Sequence, residues 1–390
     1  MMQQAAILWH VSLLVSPERR GLALGLVGLV RVGPIIVFSL LSGVAADALD
    51  RRRLMMVTQC AATAIAGALA LLTFLGVQAV WPVYLLAALG AAVSAFDGPA
   101  RQALIPTLVP RAHLPNALSL NQIMFQSAGV LGPALGGVLI ATLGVGWAYL
   151  FNAVSFLCVL AALLMMRDVP AAASEGRGDV SLRAAGEGLR FVFSSPVIRS
   201  TMLLDFVATF FASATALLPI FAQDILHVGA NGYGWLYAAP ATGALLTSFV
   251  MVRSIDRIER RGRVLLWAVA LYGLATVVFG VSKIFWLTFI CLAMTGAADT
   301  VSTVLRNVIR QLATPDRLRG RMTSINMVFF MGGPQLGELE AGLLAQWRGA
   351  PFSVIIGGIG TLVATVVIAA SVPILRHYRR DHPPPLDAVG

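Results

Sequence analysis

The sequence predicts an all-α polytopic membrane protein: twelve transmembrane helices in two pseudo-symmetric six-helix bundles, the first helix truncated. Three observations predict it. Of 390 residues, 58% are hydrophobic and 12% charged, about half the charged share of a soluble domain. Apolar runs of about 20 residues, the span of a bilayer core, recur along the whole length. The two halves also repeat. At an offset of 205, Arg101 aligns with Arg306, Pro110 with Pro315, Ser119 with Ser324, Asn121 with Asn326, Gly132 with Gly337 and Gly137 with Gly342. At an offset of 209, Gly25 aligns with Gly234, Asp47 with Asp256, and Arg51 and Arg52 with Arg260 and Arg261.

The spans read, in order, as 1–16, 21–46, 54–76, 80–100, 117–140, 147–166, 198–222, 232–253, 264–282, 284–305, 324–346 and 351–375. The first opens on "MMQQAAILWH", part-way into an apolar helix and with no polar segment ahead of it, so a cleavable signal peptide is not expected. The connections are short except between spans six and seven. Residues 1–166 therefore form one bundle and 198–375 the other, with a polar linker at 167–197 and a tail at 376–390. In the linker Leu182, Ala185, Leu189 and Phe193 share one helical face opposite Arg183 and Glu187, the pattern of a surface-lying helix. The tail, "RRDHPPPLDAVG", reads as disordered.

Charge sets the orientation. Of the 28 basic residues, 23 fall in alternate loops and the tail, and the opposite loops carry only Arg19, Arg20, Lys283 and Arg348. That bias places both termini in the cytoplasm of a cell (inner) membrane. It also accounts for the net charge of +10, so no nucleic-acid surface is expected. Cys60, Cys158 and Cys291 sit in apolar runs without metal spacing, as small core hydrophobes do. The one lysine, Lys283, precedes Ile284, which excludes the GK[ST] of a phosphate-binding loop. No nucleophile–base arrangement is present. The sequence thus points away from an enzyme and from any cofactor.

Two motifs carry a resemblance. "GVAADALDRRRL", residues 43–54, resembles the cytoplasmic loop motif of the major facilitator superfamily, with Gly43, Asp47, Arg51 and Arg52 matching. Ala48 and Asp50 depart from it. "GPALGG", residues 132–137, resembles the span-five motif of the superfamily's antiporters through Gly132, Pro133, Gly136 and Gly137. More narrowly, "FDGPARQALIPTLVPRAHLPNALSLNQ", "LDFVATFFASATALLPIFAQDIL" and "GGPQLGELEAGL" resemble the branch that holds the enterobactin exporter. The resemblance implies two bundles with a site at their interface, and spans two and eleven as neighbours there.

Ionisable residues inside the spans are the first candidates, because each costs ~3 kcal/mol or more at the bilayer centre. Glu338 and Glu340 lie two apart on span eleven and so point about 200° apart. Glu338 shares a side with Gln335, Gly342 and Gln346 and is expected to face a cavity. Glu340 shares one with Phe329, Leu336 and Leu343 and is expected to face a neighbouring helix. Between them Gly333, Gly337 and Ala341 form a stripe suited to close packing. Arg31 lies at a matching depth on span two, so that it and a proton would compete for the carboxylate. Asp205 on span seven and His10 on span one complete the proton-coupling candidates, and Asp299 is a weaker one. Gly43, Asp47, Arg51, Arg52, Asp97 and Arg101 are read as a cytoplasmic gate. Gly132, Pro133, Gly136 and Gly137 are read as helix packing. Gln4, Gln122, Phe125, Gln126, Tyr237 and Gln335 would suit an amphiphilic, partly aromatic substrate. Together these expectations describe a monomeric secondary transporter, a proton-driven exporter of a small siderophore-like or drug-like molecule working by alternating access. An uptake facilitator or a flippase for a lipid-like substrate is the alternative.

Overall fold

The computed structural model describes residues 1–48, 50–110, 113–166, 190, 192–211, 214–315 and 318–379, with the backbone alone at 39–48, 103, 107, 115, 214, 319–321, 323–325 and 327–331. Among the described residues there is helix and no strand. The helices are α1 Met2–Leu14, α2 Arg20–Ala48, α3 Arg51–Phe74, α4 Trp81–Leu108, α5 Leu114–Thr142, α6 Val145–Met165 and α7 Pro196–Phe211. They continue with α8 Gly229–Ser254, α9 Arg261–Val281, α10 Phe285–Ala313, α11 Arg319–Arg348, α12 Ala350–Ser371 and a short α13, Pro373–Arg376. In hydrocarbon only internal hydrogen bonding satisfies the backbone, so apolar runs of this length become helices.

Eleven of the twelve expected spans coincide with a single helix, and among the described residues ten candidate spans are long and apolar enough to cross a bilayer by themselves. The other two helices are α1 and α11. α1 has 13 residues, about 20 Å of rise against the ~30 Å of a hydrocarbon core. α11 carries Arg319, Arg321, Glu338, Glu340 and Arg348 along its 30 residues. Four of the exposed tryptophans stand at helix ends, where indoles favour the bilayer interface: Trp81 and Trp147 open α4 and α6, Trp286 opens α10, and Trp347 closes α11.

Span seven, expected as one helix over 198–222, differs. Helix α7 ends at Phe211, and the chain continues through a 3-10 turn at Ala214–Leu217, a helical turn at Leu218–Ile220 and a π turn at Phe221–Ile225. Pro219 lies in this stretch and offers no backbone N–H to an α-helical ladder. Of the linker, the structure describes only residue 190 and residues from 192 onward; the surface helix expected around Leu182, Ala185 and Leu189 and most of the tail lie outside the described residues.

The chain divides into two compact units, residues 1–178 with 219–238, and residues 179–218 with 239–390. In the first, α3 packs on α4 and α6, α1 on α5 and α6, and α2 on α4. In the second, α9 packs on α10 and α12, and α7 on α11 and α12. The pairs α3·α4, α3·α6, α1·α5 and α1·α6 thus recur six helices later, so the sequence repeat is a repeat of packing. Turn chemistry repeats too. Gly144 between α5 and α6, and Gly349 between α11 and α12, both have positive φ, 96° and 89°. Only glycine adopts that conformation without strain, and the two are one repeat apart.

Candidate functional site

In the first unit α1, α2, α3, α4 and α6 enclose a cavity of about 190 Å³. Its polar wall is built from one or two side chains per helix: Gln3 and Gln4 from α1, Arg31 from α2, Thr58 and Gln59 from α3, Ser94 and Asp97 from α4, Asn152 from α6. Asp97 organises the base of this wall. Its Oδ1 accepts from Gln59 Nε2 at 2.7 Å and from Thr58 Oγ1 at 3.1 Å, and its Oδ2 meets Arg101 Nη2 at 2.7 Å, one turn along α4. Opposite, Asn152 Nδ2 donates to Gln3 Oε1 at 2.6 Å. Arg31 Nη1 and Gln59 Oε1 are buried and have no hydrogen-bond partner among the described residues. The sequence reading named Gln4, Arg31, Asp97 and Arg101 here; it passed over Thr58, Gln59 and Asn152, whose only signal is a polar side chain within an apolar run.

The second unit holds a drier cluster. Arg306 Nη2 lies 2.8 Å from Asp205 Oδ1, the two side chains 1% and 3% exposed. Asp299 Oδ1 lies 3.6 Å from the same nitrogen, and Thr303 Oγ1 accepts from it at 2.8 Å. The Arg306–Asp205 contact is an ion pair without hydrogen-bond alignment, since neither Asp205 oxygen has a hydrogen bond among the described residues. One turn further on, Arg310 reaches Arg306 O, Asn307 Oδ1 and Asn326 Oδ1. Counting Arg306 and Arg310 among loop charges was therefore mistaken: both are fully buried on α10, where a carboxylate from α7 and amides replace water. The alignment of Arg306 with Arg101 was the signal available.

Helix α11 packs between α7 and α12. A Cβ at Gly333 would meet Thr209 Oγ1 at 2.7 Å, and Ala341 O accepts from Ser353 Oγ at 2.8 Å. Glu338 is buried, 4% exposed, as is Gln335, and Glu340 is half-buried. Arg31 belongs to the first unit and both glutamates to the second, so the pairing expected between them would join the units.

The remaining candidates fall into distinct settings. Asp50 caps α3, its Oδ1 accepting from Arg53 N at 3.1 Å, which accounts for an acid where the loop motif has a small residue. Arg52 donates from Nε to Leu163 O at 2.8 Å and from Nη2 to Leu164 O at 3.1 Å, covering the carbonyl end of α6. Gly43 and the backbone of Asp47 lie in α2, and the Asp47 side chain lies outside what is described. His10 is buried beside Tyr149, Nδ1 3.3 Å from its hydroxyl. Gln122 and Phe125 are exposed, Gln126 is half-buried, and Tyr237 lies edge-on to Tyr233. The span-five glycines seat α5 against its neighbours: a Cβ at Gly136 would meet Met2 Cγ at 2.9 Å, and one at Gly137 would meet Gly234 Cα at 2.6 Å.

Residues 219–238 bring a further set of polar contacts into the first unit. Arg20 Nη1 bonds both oxygens of Asp224, at 2.8 and 2.9 Å, while its Nε donates to Ser12 O at 3.0 Å. Gln223 Nε2 donates to Ser12 Oγ at 2.7 Å, and Tyr233 Oη to Ala5 O at 2.8 Å. Arg20 was one of the few basic residues outside the positively charged loops.

Comparison with known proteins agrees with this architecture. The chain is 28% identical to the enterobactin exporter EntS of Citrobacter koseri over 350 residues, 89% of this chain and 82% of that protein. It is 31% identical to the multidrug efflux pump Tap of Mycolicibacterium fortuitum over 326 residues, 81% and 79% of the two chains. Among solved structures it superposes on a D-xylose–proton symporter with a TM-score of 0.71 at 14% identity, covering 97% of this chain and 98% of that one. A bacterial homologue of the lysosomal transporter Spinster, in an inward-facing form, gives a TM-score of 0.67, also at 14% identity, covering 96% and 95%. Both likenesses are of fold. Residues 1–384 match the family described as transmembrane secretion effector, and the chain belongs to that family of major facilitator transporters.

Proposed function

We propose that this chain is a proton-driven secondary exporter of a small amphiphilic molecule, working by alternating access, with both termini in the cytoplasm of the inner membrane. The relatives named as an enterobactin exporter and a multidrug efflux pump support the export direction and the substrate class. A carboxylate buried inside a membrane helix supports the coupling ion. Glu338, 4% exposed on α11, is the observation that carries the reading. Ionisable residues inside membrane helices are rare and tend to mark proton or substrate paths, and a proton moving on or off such a group can couple to a rearrangement. Asp205 is the second acid, held by Arg306.

The test is efflux from inverted membrane vesicles under an imposed pH gradient, with a panel of siderophore-like and drug-like compounds. Wild type should accumulate substrate only while the gradient lasts. Glu338→Gln should lose the gradient dependence yet still bind substrate. Accumulation indifferent to the gradient in wild type would point to a facilitator or a lipid flippase instead.

A further inference from the structure

We infer that the cavity enclosed by α1, α2, α3, α4 and α6 binds an anionic head group, with Arg31 as the cation that selects it. Charge accounting within the cavity leads there. Asp97 is fully engaged by Thr58, Gln59 and Arg101, so its charge is offset within the wall. Asn152 donates to Gln3, and both amides are neutral. Arg31 is the lining side chain whose charge no described carboxylate offsets, and its Nη1 is buried without a hydrogen bond. A buried donor without a partner carries its full desolvation cost, and a guanidinium in that position is matched by a carboxylate or similar anion, which its planar fork engages bidentately.

Size and lining narrow the class. At about 190 Å³ the cavity falls below the roughly 300–1,000 Å³ of sites that enclose a whole drug-sized ligand. It holds one ring or head group, and the rest of a larger amphiphile would extend beyond it. Ile7, Val27, Ile65 and Phe156 line the same space, and a Cβ added at Gly90 would meet nothing within 4 Å. The ligand class is therefore a small organic monoanion with an apolar or aromatic body, free or as the end of a longer molecule. This inference deepens the transport reading by naming what the first unit recognises.

The test is equilibrium binding of radiolabelled benzoate and its neutral isostere benzamide to the purified full chain in detergent. Wild type should favour benzoate by about tenfold or more, the size of a charge-assisted hydrogen bond. Arg31→Gln should abolish the preference while leaving benzamide binding as it was. Arg31→Lys should keep part of it, since lysine supplies the charge without the fork. Equal binding of the two probes by wild type, binding of neither, or a preference that survives Arg31→Gln would overturn the inference. Should Arg31→Gln fail to fold, Arg31→Lys decides, together with competition by chloride, which should displace benzoate and spare benzamide. Binding needs no gradient. Anion preference without proton-driven efflux would thus sink the transport reading alone, and gradient-driven efflux without anion preference would sink this inference alone.

Discussion

Arg101 on α4 and Arg306 on α10 hold equivalent places in the two halves of the sequence, yet their surroundings differ in kind. Arg101 pairs with Asp97 one turn back on its own helix, and the two side chains are 44% and 17% exposed. Arg306 reaches across to Asp205 on α7, with both side chains 3% exposed or less. The first pair is part-exposed beside a cavity; the second is buried among helices with Arg310 beside it, although the neighbouring Asp299 is 45% exposed. A pair within one helix forms whatever the tertiary packing, and screening limits its worth. A pair between buried helices forms only if both helices arrive, and once dry neither charge can lose its partner cheaply. The same residue in two repeats can therefore tune a binding wall in one bundle and lock a core in the other.

Four single substitutions and one double variant test that contrast. Arg306→Gln should have the largest effect, lowering stability by about 3–5 kcal/mol because it strands Asp205 in a dry site. The midpoint of thermal unfolding in detergent reads it, and pairing Arg306→Met with Asp205→Leu should recover most of the loss. A single Arg306→Gln variant as stable as Arg101→Gln would erase the distinction. Next comes a close backbone contact within the first unit, which involves no charge. Gly137→Ala must push α5 off the backbone of α8 at Gly234, an overpacking cost of about 1–3 kcal/mol. Gly136→Ala meets only the flexible Met2 side chain and should lower the midpoint less. Arg101→Gln should be smallest, about 1 kcal/mol or less for a half-exposed pair. Its effect should shrink further in high salt, while that of Arg306→Gln should not.

Much of the architecture was legible before any coordinates. Helix positions follow from apolar runs, because in lipid a chain has few alternatives to helix. The repeat in residue types became a repeat in helix pairs and in the paired turns at Gly144 and Gly349. The site was less legible. Arg31, Asp97 and Gln4 stood out as polar residues in apolar company, and all three line the cavity. Thr58, Gln59 and Asn152 have the same character, but nothing local says that their faces converge. The break after α7 was also hidden, since a proline within an apolar run is tolerated in membrane helices wherever neighbouring groups satisfy the backbone.

By itself, then, the sequence determined the all-helical membrane class, where the apolar helices fall, their internal repeat and the family resemblance. These depend on composition and spacing, which are properties of short stretches. The tertiary structure alone decided which arginines leave the loop population, putting Arg306 and Arg310 among the buried side chains. It also placed residues 219–238, from the second half of the sequence, in the first unit. And it left Arg31 as the cavity side chain whose charge no described carboxylate offsets. The physical reason is common to all three. A side chain's electrostatic environment is set by which distant helix faces it, and helical phase restricts that direction without naming the neighbour.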